Sequence, residues 1–280
     1  MRITKTAWPF RYSEGRSNFA SSETLEDTAY RDFVLDLCRR GFEMASHGAT
    51  MESSPRERTL SAMERFKDLF GAYPRLHANH SYNRENLYWG VDRLDDPLLR
   101  AVYRRVNGRP PAFYQGHVPE SAYWWGDFAQ RHVEYVRNLT FAGINLLRVN
   151  PSMPYRDPSR PLVHWWFSAV DAEGAEEFAV LLRESELARL EEEGGVCIVA
   201  THLGKGYSAG GRVHPGVRKV LESLARRPGW FPTVGELLDW LRTQRRGELL
   251  PASEWRRMQW RWMGDLAARK LRQRWGRLWR

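Results

Sequence analysis

Cysteine is almost missing from this chain. Cys38 and Cys197 are the only two in 280 residues, both in apolar surroundings. Two such thiols exclude a disulfide framework and suit a reducing compartment. Long apolar runs are missing too. No stretch approaches the roughly 20 residues that a membrane-spanning helix needs, and the start lacks the charged-then-apolar profile of a secretory signal. The default expectation is therefore a cytoplasmic protein. No internal repeat is visible. Gly204-Lys205-Gly206 is not a P-loop, because the preceding glycine and the following helix are wrong.

What is present is a chain long enough for one large domain or two small ones, with 42% apolar residues and 13 tryptophans. Its basicity is local. From Arg242 to Arg280 there are twelve Lys or Arg against Glu248, Glu254 and Asp265, which accounts for the whole formal excess of +9. Residues 1–243 are close to neutral and read as the α/β body. Residues 244–280 read as a basic helical tail, with Trp255, Trp260, Trp262, Trp275 and Trp279 among arginines. That mixture suits either a solvated basic tail or the headgroup region of an anionic membrane, the second of which would place the protein peripheral to the inner membrane. Nucleic acid is the weaker alternative, since no basic face is traceable in the body.

The most informative stretch is Val196 to Tyr207. Val196, Ile198, Val199 and Thr201 give a short β-branched run behind Gly194-Gly195, the pattern of a fully buried parallel strand. The run opens into a glycine-punctuated loop with His202 and Lys205. The grammar repeats twice. Gly41 closes a helical pattern (26–40) and Phe42 to Ser46 leads to His47. Gly71 closes the next helix, and Pro74 to Asn79 leads to His80. Three imidazoles at the carboxyl ends of three parallel strands would share one face, where α/β proteins do their chemistry.

The other expected elements are a strand over 1–8, a loop over 9–22, and a helix opened by a capping box at Ser54-Pro55-Arg56-Glu57. Helices are expected over 97–106, 127–141, 172–193, 217–226 and 234–241. Further strands are expected over 145–150, 163–167 and at Trp230-Phe231, with an excursion over the site from 107 to 126. Single strands alternating with helices predict an α/β barrel or a doubly wound sheet. Asn79, Glu85, Arg148, Asn150 and Lys205 are candidate substrate contacts. Trp124, Trp125, Trp165 and Trp166 divide between core packing and stacking on sugar rings.

Gly41-Phe42-Glu43-Met44-Ala45-Ser46-His47 resembles the second motif of the polysaccharide deacetylase (NodB homology) family. Pro74 to His80 falls where that family has its third motif, Thr201-His202 resembles its final strand-plus-His motif, and Trp230 to Leu241 its closing strand and helix. The stretches 47–50, 77–90, 148–155 and 201–206 are similar to those of a bacterial branch of the family. The resemblance spans roughly residues 1–241. It implies a deformed (β/α)7-type barrel, N-terminally incomplete, and metal-assisted hydrolysis of a C–N or ester acyl bond on a sugar or glycan precursor. It also implies a divalent metal, zinc by preference, on His47, with His202 as acid. His80 is a candidate replacement ligand. The family's paired aspartates precede the stretch that matches Met1 to Trp8, and Met51 stands where its second histidine would be. Two expectations follow: a start internal to a longer frame that carries an aspartate-bearing strand, or a catalytically inactive carbohydrate-binding relative that has kept its cleft.

Overall fold

The computed structural model describes residues 2–12, 23–107, 110, 112–244 and 249–278, with side chains as far as Leu271. Most of the loop expected over 9–22, and the side chains of Trp275 and Trp279, lie outside the described residues. Six strands form one all-parallel sheet in chain order: β1 (Thr4–Ala7), β2 (Glu43–Ser46), β3 (Leu76–Ala78), β4 (Tyr135–Phe141), β5 (Trp165–Asp171) and β6 (Val199–Ala200). An α-helical crossover links each consecutive pair except β4 and β5, which are joined through a single 3-10 turn, and the sheet curls into a half-barrel whose edges are β1 and β6. The α/β expectation holds at this level.

The helices follow the apolar periodicity. α1 (Thr28–Arg39) and α2 (Arg56–Phe70) cover β1 and β2 through Leu25, Val34, Leu37, Met44 and Phe66. α2 ends at Gly71, whose φ of +80° is the left-handed conformation that glycine adopts without a steric penalty. The capping box at its start does not form. Pro55 is the N-cap, and Ser54 instead donates its backbone N–H to Glu85 Oε2. α3 (Pro97–Asn107) and α4 (Gly126–His132) precede β4.

The helix expected over 127–141 stops at His132. Tyr135, Val136, Thr140 and Phe141 are strand formers, and with seven residues here the sheet outweighs the helical period. The strand expected over 145–150 is a 3-10 turn, Leu146–Arg148, held by Asn145 Oδ1 accepting from Leu147 N–H at 3.0 Å. The single helix expected over 172–193 is broken into α5 (Ala175–Leu181) and α6 (Glu184–Glu192). β6 runs parallel to β5, but it is a half-buried edge strand and not a fully covered one. A short antiparallel hairpin, β7 (Ser208–Ala209) and β8 (Arg212–Val213), turns through Gly210-Gly211, both at positive φ. α7 (Pro215–Arg226) and α8 (Val234–Gln244) follow. Trp230-Phe231 is irregular, with no ladder partner.

α8 closes the amino end of the strands. Val234 N–H donates to Thr4 Oγ1 and Gly235 N–H to Glu43 Oε2, at β1 and β2. Asp239 accepts from Arg75 beside β3 and from the Tyr135 hydroxyl of β4, at 2.8 and 2.6 Å. Arg242 reaches Glu134 and lies over the Trp165 ring. With that end sealed, the carboxyl end is the open one.

The basic tail is helix α9 (Ala252–Leu278). Its Trp255, Met258, Trp262 and Met263 belong to the same core cluster as Val136, Trp166 and Phe167. Trp125 and Trp166 are fully buried in that cluster, and burying a ring of that size contributes several kcal/mol at about 25 cal/mol per Å².

Candidate functional site

Strand register fixes which side chains share a face. Ser46 pairs with His77, His77 with Val136, and Val136 with Trp166, so these four point one way, toward the outer helices. Ala78, Arg137 and Phe167 pair in turn and point the other way, into the concave face. His47 follows Ser46 and falls on the concave side. His80 lies two residues beyond Ala78.

The structure brings His47 and His80 together, with ring centroids 5.1 Å apart at 83°. Trp8, just past β1, stacks on His47 at 5.4 Å and meets His80 edge-on at 5.5 Å. Its indole N–H holds the His47 carbonyl at 3.1 Å. Tyr82 also meets the His80 ring, at 5.9 Å.

Both imidazoles are fixed in one tautomer. His47 Nδ1–H donates to the Ala78 carbonyl at 2.6 Å. His80 Nδ1 lies 2.9 Å from Asn83 Oδ1. The amide orientation of Asn83 is settled by its nitrogen, which donates to the carbonyls of Thr50 and Glu52 and to Glu85 Oε1. Its oxygen is therefore the atom facing His80, and His80 Nδ1 is the donor. His202 follows suit: its Nδ1–H donates to the Glu173 carbonyl at 3.2 Å. In the neutral rings each Nε2 is then an acceptor, with no hydrogen bond among the described residues. Burial lowers the pKa of both His47 and His80. For His47, His80 and Arg137 add to the effect; for His80, His202 and Arg137 add to it, while the Asn83 bond partly opposes it.

Arg137 is the residue that sequence reasoning missed. It stands on the concave face of β4, and its Nε is buried without a hydrogen-bond partner among the described residues. Burial lowers its pKa. Asp171 opposes that shift and Arg93 adds to it. Asp171 is itself held by Arg269 of α9. The signal that could have found it is the Tyr135-Val136-Arg137 alternation just after His132, where a helix was expected.

The expected site residues separate. His202 is exposed at the end of β6, close enough to lower the His80 pKa electrostatically. Lys205, in the same loop, is tied to Glu173 at 2.6 Å, and Glu173 is held low by that bond. Asn79 is buried, bonding the backbone N–H and C=O of Leu87 and the His77 ring. Glu85 is 2% exposed and bonded to Ser54 N–H and Asn83, and burial raises its carboxyl to about 7. Arg148 pairs with Glu193 at 3.1 Å beside the end of α6. Asn150 is fully buried, donating to Ser168 Oγ on the outer face of β5. The structure thus gathers His47, His80 and His202 at the mouth with Lys205 in the same rim loop. It places Asn79 and Glu85 in the scaffold behind them, and Arg148 and Asn150 elsewhere. Of the tryptophans, Trp125 and Trp166 are core and Trp165 lies at the amino end, over Arg242.

Among the described residues no cluster of three His, Cys, Asp or Glu side chains could hold a metal ion. The donors at the mouth are the His47 and His80 imidazoles, with His202 exposed at the rim and the Arg137 guanidinium nearby. A catalytic zinc takes three protein ligands in close array, and the described residues do not form that set. No family model, no curated protein and no solved structure matches this chain.

Proposed function

We propose that the concave mouth binds a small hydroxylated anion of the carbohydrate or glycan-precursor class. The observation that carries this reading is the placing of Arg137, whose buried Nε has no partner among the described residues, beside His47 and His80, whose Nε2 atoms are acceptors in the neutral rings. A guanidinium with an unused N–H is a directional holder for a carboxylate or phosphate. Imidazole acceptors suit hydroxyl donors, and Trp8 and Tyr82 supply flat faces beside them. The position supports the same reading, since ligands of parallel sheets bind beyond the carboxyl ends of the strands.

This is the binding counterpart of the deacetylase resemblance. The NodB-like barrel type and metal-assisted acyl hydrolysis stay with that resemblance.

The test is calorimetric titration with acidic sugars, such as glucose 6-phosphate and glucuronate, against neutral glucose. The expected result is binding of the acidic members and its loss in Arg137→Met. Equal binding of glucose, or unchanged affinity in the variant, would contradict the proposal. Stoichiometric zinc with release of acetate from acetylated sugars would restore the hydrolase reading.

A further inference from the structure

The first and second halves of the chain each supply a helix to one exposed face. α9 runs alongside α3 in the same direction. Gln259 Oε1 accepts from Asp95 N–H at 2.7 Å where α3 begins. Midway, Tyr103 and Trp262 stack at 5.6 Å. At the far end, Lys270 Nζ donates to the Val106 carbonyl at 3.0 Å. Trp255, Met258, Trp262 and Met263 bury the inner side of α9, and Leu99 that of α3.

The outer sides are left uncovered. α3 exposes Leu98, Val102 and Val106, a single stripe at four-residue spacing, 60%, 42% and 49% accessible. α9 exposes Trp260 and Leu271, at 48% and 57%. Arginines flank both stripes: Arg104 and Arg105 on α3, and Arg256, Arg257 and Arg261 on α9, all exposed. Nearby carboxylates are already engaged. Asp95 is taken by Arg160 and Trp255, Asp96 caps α3 by accepting from Leu98 N–H, and Glu254 holds Ser152. Asp265 accepts from Ala142 N–H and pairs with Arg261.

We infer that this α3–α9 face docks onto an anionic lipid surface, with the aliphatic stripe at the headgroup–acyl boundary and the arginines on the lipid phosphates. Charge and hydropathy together select that occupant. A nucleic acid would use the arginines, but it offers nothing apolar to Leu98, Val102, Val106 and Leu271. A second copy of the chain would cover the apolar stripe, but a two-fold pairing sets arginines against arginines. Among the described residues no helix is long and apolar enough to cross a membrane, so the contact is a surface one. This inference is independent of the ligand proposed for the concave mouth.

The test is co-sedimentation of the full chain with vesicles of phosphatidylcholine containing about one-third phosphatidylserine, against pure phosphatidylcholine. The expected result is binding to the anionic vesicles that weakens as salt rises. Arg256→Ala with Arg257→Ala should weaken it about 25-fold, roughly fivefold per arginine. Leu98→Ser with Val102→Ser should weaken it at every salt concentration. Both pairs are exposed, and unchanged melting temperatures will show that the variants are folded. Absence of vesicle binding, equal binding to neutral vesicles, or variants that bind like the parent would each overturn the inference. So would tighter, competing binding to an oligonucleotide duplex, or a stable dimer disrupted by Val102→Ser.

Discussion

Asn83 joins the buried carboxylate of Glu85 to the ring of His80. Its Nδ2 donates to Glu85 Oε1 at 2.8 Å, and its Oδ1 accepts from His80 Nδ1 at 2.9 Å. One amide thus links a scaffold residue to a residue of the mouth and decides which face of the imidazole is bare. Asn83→Ala removes four hydrogen bonds and leaves the Glu85 carboxyl short of a donor, at a cost of about 2–4 kcal/mol. Histidine-ring nitrogen NMR provides the sharper readout. The parent should show His80 protonated at Nδ1, whereas the variant should show mixed tautomers.

Stability should respond to pH through buried groups of opposite sense, the histidines on one side and Glu85 on the other. Burial lowers the His77 pKa from 6.5 to about 4, with the Asn79 bond opposing. Its contribution is complete above 6.5 and is lost as pH falls through 4, because the unfolded chain takes the proton first. The full loss is about 3 kcal/mol. Burial raises Glu85 from 4.5 to about 7, so its contribution is complete below 4.5 and is lost as pH rises through 7. Between these values the two slopes oppose each other. Urea melts of Glu85→Gln across this range should therefore show a steeper acid loss than the parent and no decline from 4.5 toward 7.

Arg137 costs stability where it stands, because a buried guanidinium without a full set of partners is poorly solvated. Arg137→Met should raise the unfolding free energy by about 1 kcal/mol or more. Removing the charge should also raise the pKa values of His47 and His80 toward the ordinary value. A denaturant series and a histidine titration check the two parts separately. A variant less stable than the parent would mean that the guanidinium is satisfied in solution.

Trp125 and Trp166 are equally buried but differ in one bond. Trp125 Nε1–H donates to the Glu85 carbonyl at 2.6 Å, whereas the Trp166 indole N–H has no partner. Replacement by Phe removes a similar volume at each site. Trp125→Phe should therefore be the costlier by about 1–3 kcal/mol, the cost of stranding a buried carbonyl. Equal melting temperatures for the two variants would contradict that.

The concave mouth was legible in the sequence because its histidines sit at strand ends behind glycines. Gly41 before His47 and Gly71 before His80 mark helix ends, and short apolar runs then lead to the imidazoles. Arg137 was not legible. Only two residues separate its strand from α4, so the helical period of 126–132 reads on into β4 with no Gly or Pro to interrupt it. Glu85 and Asn79 were legible as polar residues near the mouth but not as scaffold. Their partners, Ser54 and Leu87, come from other turns of the chain, and local spacing does not show that the carboxylate and amide are already used. The α3 stripe was visible only once α9 lay beside it.

The most direct measurement is histidine-ring nitrogen NMR of the full chain during titration with glucose 6-phosphate. His132 and His164 lie at the amino end of the sheet, near Tyr73 and Gln130, and serve as internal controls. The account predicts that His47, His80 and His202 shift together while the controls stay fixed, and that Arg137→Met abolishes the shifts. Perturbation of the controls alone, or a response of His47 that leaves His80 and His202 unmoved, would contradict a single site at the mouth of the half-barrel.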